Sequence, residues 1–285
     1  MQRKLFIYCN ISLFIAALIS GLSFVAQKLG MQYTGPFTFN TLRCLIGGIS
    51  LLPLLMCSKS KCSIKGGILA GIILFIAFSI NQHCMLFADA GKAGFITSLY
   101  IIFVPLFAVF LKQKLSINIK ISIIIATVGL YLLCANERLQ FQILDMFLLL
   151  SAVFFAMHIL VLNHYSKTSD VIKLSIIQFM TAGILSLPFM LFLENPTGAE
   201  IFAGWKPILF IGVLVTGVAY TLQIFGQKAT KPVPAALILS SEAVFAVLGG
   251  VLILNETLTV KEIFGCIIML FGIIFSQIPN KSKTA

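Results

Sequence analysis

The sequence predicts an all-α polytopic membrane protein, with ten transmembrane helices arranged as two inverted five-helix repeats. Three observations carry this. Of 285 residues, 59% are hydrophobic and only 10% are charged. A soluble domain carries about 25% charged residues, so this chain cannot cover a water-facing surface. Apolar runs of about 20 residues, enough to cross a ~30 Å hydrocarbon core as a helix, recur along the whole chain. Finally, the first half of the sequence returns in the second.

The spans are helical because runs such as Ile121–Ala126 and Ala246–Leu254 do not alternate apolar and polar residues, as a membrane β-barrel requires. Reading between charged residues gives spans at about 5–27, 36–57, 66–87, 93–111, 117–136, 143–163, 171–193, 206–227, 233–254 and 260–278. The first follows Arg3 and Lys4, like the start of a signal peptide. Its apolar segment is about twenty residues long and no small-residue cleavage site follows, so it reads as a span. The connections are short, which leaves chemistry or binding to the space between helices.

Orientation follows from the basic residues. With the N-terminus cytoplasmic, fourteen fall inside: Arg3, Lys4, Lys59, Lys61, Lys65, Lys112, Lys114, Lys120, Lys167, Lys173, Lys228, Lys231, Lys281 and Lys283. Five fall outside (Lys28, Lys92, Arg138, Lys206, Lys261), along with the acids Asp89, Glu137, Asp145, Glu194, Glu200, Glu256 and Glu262. Both termini are therefore expected in the cytoplasm. The net charge of +11 does not indicate a nucleic-acid partner, because these residues sit in short loops and not on one face. The seven cysteines lack CxxC spacing and read as small apolar side chains. No HxxxH set, GxxxxGK[ST] loop or Ser/His/Asp arrangement is present, so no metal, cofactor or ATP site is expected.

The internal repeat is specific. KQKLSINIKISIIIATVG, beginning at Lys112, resembles NETLTVKEIFGCIIMLFG, beginning at Asn255, at an offset of 143. Upstream, GIILFIAFSINQHCMLFADAG resembles GVLVTGVAYTLQIFGQKATKP at an offset of 141, with Gln82 matching Gln223. The slip falls in spans four and nine or the loops before them. The repeats are read as 1–140 and 141–285. Five spans is an odd number, so the second copy must enter the membrane upside down, a recurrent transporter design.

Several stretches together resemble the drug/metabolite transporter superfamily, specifically its EamA-type ten-span members. They are AALISGLSFVAQKLG in span one, FNTLRCLIGG with Arg43 in span two, AGKAGFITSLYIIFVPLFAVFL around span four and SSEAVFAVLGGVLILNETLT around span nine. The chain departs from that pattern at Ser20, where Trp is frequent, at Ala243, where Pro is frequent, and at Gln113 and Lys114, where Glu is frequent. The resemblance implies a 5+5 inverted-repeat fold, a bacterial plasma membrane, and movement of small metabolites such as amino acids.

The polar residues inside the spans are the candidate site. Glu242 lies nine residues past Val233, ~14 Å into a ~30 Å core. A charge there costs roughly 3 kcal/mol on insertion scales, so something must offset it. The functional reading is a group that binds a proton or a substrate amine. The structural alternative is a tie to a neighbour such as Arg43. Arg43 itself reads as a gating or structural charge. Gln82 and Gln223, with Asn81 and Tyr220, suit a cavity for polar or zwitterionic solutes, since amides offer donors and acceptors without charge. Interhelical hydrogen bonding is their bland alternative. Tyr100, His158 and Ser241 are weaker candidates. Trp205 reads as an interfacial anchor, and Gly67 with Gly71 as a thin surface for close helix approach.

The expected function is a secondary transporter, read as an exporter, working by alternating access between the repeats. Its expected partners are a small-molecule metabolite and membrane lipid, with energy from the solute gradient or from protons, Glu242 being the candidate coupling group; coupling ion and oligomeric state are left open. Two alternatives belong to other classes. A membrane-embedded enzyme acting on lipid-linked substrates would need acids or histidines clustered at one interface, and His83, His158 and His164 do not cluster by depth. A non-transporting scaffold would need no polar cavity.

Overall fold

The computed structural model describes residues 2–58, 60–87, 90–134, 143–254 and 258–278. Several sequence expectations fall outside them: the repeat boundary at 140/141, the C-terminus, and the loop residues Lys59, Asp89, Glu137, Arg138, Glu256, Lys281 and Lys283.

Among the described residues all regular structure is helical. The chain runs through α1 (Gln2–Gly30), α2 (Pro36–Ser50, prolonged by a 3-10 turn Leu52–Cys57) and α3 (Ile64–Met85). Next come α4, in two pieces (Ala90–Ser98 and Tyr100–Phe110), α5 (Ile117–Cys134), α6 (Ile143–Tyr165) and α7 (Val171–Phe189, ending in a π turn Met190–Glu194). A short helix Gly198–Ala203 precedes α8 (Trp205–Gln227), whose middle, Ile211–Ala219, is π-helical. The last two are α9, again in two pieces (Pro232–Leu239 and Glu242–Leu254), and α10 (Val260–Ser276). Eight of these are long and apolar enough to cross a membrane, and α5 supplies a shorter apolar stretch, Ile117–Leu133. With α10, which has 17 residues and rises about 26 Å, they occupy the ten predicted positions.

Local chemistry sets the ends. Pro36 opens α2, where its missing N–H is no loss. Ser63 starts α3 by accepting from the Gly66 N–H, and Asp170 starts α7 by accepting from Ile172 and Lys173. Thr259 and Glu262 form a reciprocal capping box at α10. The break in α9 has a comparable origin. The Ser240 and Ser241 hydroxyls donate back to the carbonyls of Leu237 and Ile238, competing with the helical ladder.

Packing follows a paired pattern. The α1–α8 contact corresponds to α6–α3, α1–α9 to α6–α4, and α2–α8 to α7–α3, while α2 packs on α7 and α5 on α10. Adding five to a helix number carries each partner onto its counterpart. The α5–α10 seam is the tightest. A methyl group on Gly129 would meet the Met269 backbone, and one on Gly265 would meet the backbone of Leu133. Gly71 lies likewise against the Gln178 carbonyl and Thr181 of α7, so the predicted thin surface of α3 is a helix contact.

Bonds at the helix ends sort them by face. Asn10, near the start of α1, donates to Gln277 after α10 (3.0 Å) and accepts from Thr230 before α9 (2.8 Å). The Asp170 N–H, before α7, donates to the Lys61 carbonyl, before α3 (2.9 Å). On the opposite face, Glu194 at the end of α7 meets the start of α2. Trp205 is half-exposed beside Lys206, whose ammonium lies 6.0 Å from the ring centre.

A candidate polar cavity between the helices

A cavity of about 70 Å³ lies among α1, α2, α3, α4, α6, α8 and α9. At ~10–15 Å³ per water it holds about five waters. The residues that reach it are best understood from the backbone irregularities that place them.

The breaks in α4 and α9 do most of this work. Tyr100 is the first residue of the second piece of α4, and Glu242 the first of the second piece of α9. Both side chains turn into the cavity, and the Tyr100 hydroxyl donates to Glu242 Oε1 at 2.9 Å. They are 142 residues apart, between the repeat offsets of 141 and 143. Glu242 is thus tied to a neighbour, and that neighbour is Tyr100.

Arg43 comes from α2. It is buried at 2% exposure, so its guanidinium cannot reach water by extending outward. Its Nε donates to Thr216 Oγ1 at 3.2 Å, and its guanidinium sits 4.1 Å from the centre of the Phe78 ring. A desolvated cation over an aromatic face gains about 2 kcal/mol. Thr216 lies within the π-helical stretch of α8, a kind of irregularity frequent at functional sites. The expected Arg43–Glu242 tie is not made, because each group takes a neutral partner instead. Both nonetheless face the same cavity.

The remaining wall is mixed. Asn81 donates to Thr97 Oγ1 at 2.6 Å, and His158 Nε2 lies 3.0 Å from Gln178 Oε1. Tyr220 stands edge-on to Phe78, with ring centres 5.6 Å apart, and Gln223 reaches the cavity from the next turn of α8. Two candidates point elsewhere. Gln82 directs its amide to Met31 Sδ at 2.9 Å, and Ser241 is fully buried and bonded to Ile238; neither lines the cavity. Gln82 points ~100° round α3 from Asn81 and meets Met31 instead.

Sequence reasoning missed a polar stripe on α1. Ser20, Ser23 and Gln27 line the cavity at helical spacing, joined by bonds from Ser23 to the Ser20 carbonyl (2.6 Å) and from Gln27 to Ser23 (3.1 Å). It also missed Thr97, and Gln178 behind His158. The period-3.6 spacing on α1 was the available signal.

Replacing Tyr100 with Phe removes one hydroxyl and leaves the ring in place. A hydrogen bond to a charged group contributes about 1.5–3 kcal/mol. If Glu242 holds a solute, as the sequence leads one to expect, Tyr100→Phe should weaken that binding by about tenfold, or more, measured as the half-saturating solute concentration in proteoliposome exchange.

The comparisons with known proteins agree with this architecture. The model of the EamA-like transporter family matches residues 7–135 and 142–277. An uncharacterized transporter of Archaeoglobus fulgidus is 34% identical over 275 residues, covering 94% of this chain and 85% of that protein. The uncharacterized transporter YoaV of Bacillus subtilis is 26% identical over 269 residues, covering 90% and 92%. A protein of known crystal structure superimposes with a TM-score of 0.79 over 94% of this chain and 95% of its own, at 16% identity, and so shares the fold.

Proposed function

The chain belongs to the EamA-like transporter family, and from that premise we propose that it exports a small zwitterionic metabolite, such as an amino acid, across a bacterial plasma membrane. The family makes it a membrane transporter and not an enzyme. One observation carries the substrate reading. Arg43 and Glu242 carry opposite charges and face one buried cavity, each held by a neutral partner and neither by the other. Buried charges left apart in low dielectric are stabilised by a ligand that supplies both complements. A solute with a carboxylate and an ammonium group does so.

Alternating access supplies the mechanism. The halves 1–140 and 141–285 act as inverted repeats with both termini cytoplasmic, and rocking between them exposes the cavity to each face in turn. The paired packing and the matched breaks in α4 and α9 support this reading. Solute and proton gradients are the energy sources available to a secondary transporter, and Glu242 is the group placed to couple them. A non-transporting scaffold would have no use for a cavity with buried charge.

The test is counterflow in proteoliposomes with a panel of labelled amino acids, run with and without an imposed pH gradient. Saturable exchange of at least one zwitterion, and none of amines or carboxylates lacking the second charge, is the expected result. Exchange of singly charged solutes alone would overturn the zwitterion reading.

A further inference from the structure

The sequence places Glu194 among the external acids. The structure gives it a built position. Its carboxylate accepts from the Phe37 N–H (2.8 Å), the Thr38 N–H (2.6 Å) and the Thr38 hydroxyl (2.6 Å), so α7 ends on the first turn of α2. A negative group at a helix start is favoured by the free N–H groups and the helix dipole.

Several independent features serve this contact. The last turn of α7, Met190–Glu194, is π-helical, and Asn195 follows with φ 41°, in the left-handed region. Together they turn the Glu194 side chain back over α2. A side chain at Gly35 would collide with the Glu194 carboxylate. Phe37 stacks on Phe189 at 5.0 Å, and Ser186 donates to the Phe37 carbonyl at 3.1 Å. A widened helical turn and a non-glycine left-handed residue each cost free energy, and such features persist where the surroundings over-determine them.

The other end of α7 is fastened differently, to the loop that leads into α3. There the Asp170 N–H donates to the Lys61 carbonyl (2.9 Å), the Ser63 N–H to Ser169 Oγ (3.1 Å) and Lys173 Nζ to the Ser60 carbonyl (2.9 Å). The Asp170 carboxylate caps its own helix. At Glu194, by contrast, the carboxylate itself holds α7 to another helix.

We propose that Glu194 is the latch of the face opposite the N-terminus. Its carboxylate holds the first turn of α2 shut against α7, and this grip must release for the cavity to open on that face. Arg43 lies five residues beyond Thr38 on α2, about 8 Å along its axis. Glu194 thus grips, from outside the cavity, the helix that carries the cavity cation. The inference rests on the reading that the cavity is exposed to the two faces in turn.

Cysteine accessibility tests it without knowledge of the substrate. In a variant lacking the seven native cysteines, Gln27→Cys reports access from the Glu194 face and Gln223→Cys access from the face that carries the N-terminus. A membrane-impermeant maleimide is applied to each side of oriented proteoliposomes. With Glu194→Ala added, Gln27→Cys should label about tenfold faster and Gln223→Cys about tenfold slower, the order that one hydrogen bond to a charged group supplies. Faster labelling of both reporters would mean a loosened bundle and overturn the latch. Two reporters that are reactive but insensitive to Glu194→Ala would overturn the latch alone. If neither reporter reacts from either side in any variant, the alternating-access reading fails and the latch fails with it.

Discussion

Replacing Glu242 with Gln is expected to reduce exchange at least about a hundredfold while leaving the folded protein intact. The substitution keeps the shape, and an amide oxygen still accepts from the Tyr100 hydroxyl at the break of α9. It removes an ionisable group, and with it any negative charge, from the cavity wall. If that charge holds a substrate ammonium, or carries a proton, nothing else on the wall replaces it. The other charged side chain lining the cavity is Arg43, of the wrong sign. Breaking a buried charge pair by neutralising one partner costs about 2–5 kcal/mol, and a hundredfold effect lies inside that range. The measurement is counterflow at saturating internal solute, paired with the size-exclusion profile of the purified variant. Normal elution with wild-type exchange would make Glu242 a structural residue and leave coupling without a candidate.

The second large effect is on stability. Gly129→Leu is expected to prevent α5 and α10 from closing, lowering the thermal transition of detergent-solubilised protein by 10 °C or more, or abolishing it, on the order of 3 kcal/mol or above. At Gly129 the first added carbon would meet the backbone of Met269. A flexible neighbour would move aside, but a peptide unit inside a helix does not. The glycines are shared across the seam, with Gly265 lying against the Leu133 backbone in return. Relief at one position therefore strains the other. Transport by any surviving protein is a separate measurement, since α5 and α10 contribute no residue to the cavity. A Leu variant with an unchanged thermal transition would mean that the helices are further apart than described.

Lipid explains why the helices were legible. A bilayer requires every spanning backbone group to be satisfied within its own segment, so length and apolarity alone mark the spans. The same requirement hides the azimuth of each helix. A span that is apolar on all sides carries no sign of which face turns inward. Thus Glu242, Tyr100, Arg43, Asn81, Tyr220, His158 and Gln223 were visible as polar residues at depth, and all seven reach the cavity, whereas Gln82 and Ser241 were equally visible and do not. Ser241 is consumed locally, because a hydroxyl can bond the carbonyl three residues back. Gln82 is taken up by Met31, a partner that only the fold brings near. In the sequence Arg43 is a charge at depth, yet its position is set by an aromatic ring on α3 and a hydroxyl on α8, partners that only the folded chain brings together. Glu194 was hidden for a different reason. The Asn195–Pro196 pair signals a helix stop, but nothing in the sequence signals the π turn that precedes it.

The seam between α5 and α10 has a consequence for biogenesis. Its two faces lie about 140 residues apart in the chain, so a ribosome adding 5–20 residues per second delivers the second roughly 7–30 s after the first. Throughout that interval the glycine-bearing side of α5 has no lasting mate. The nascent protein must be sheltered by lipid or an insertase until its final helix emerges, and only then does the assembly close.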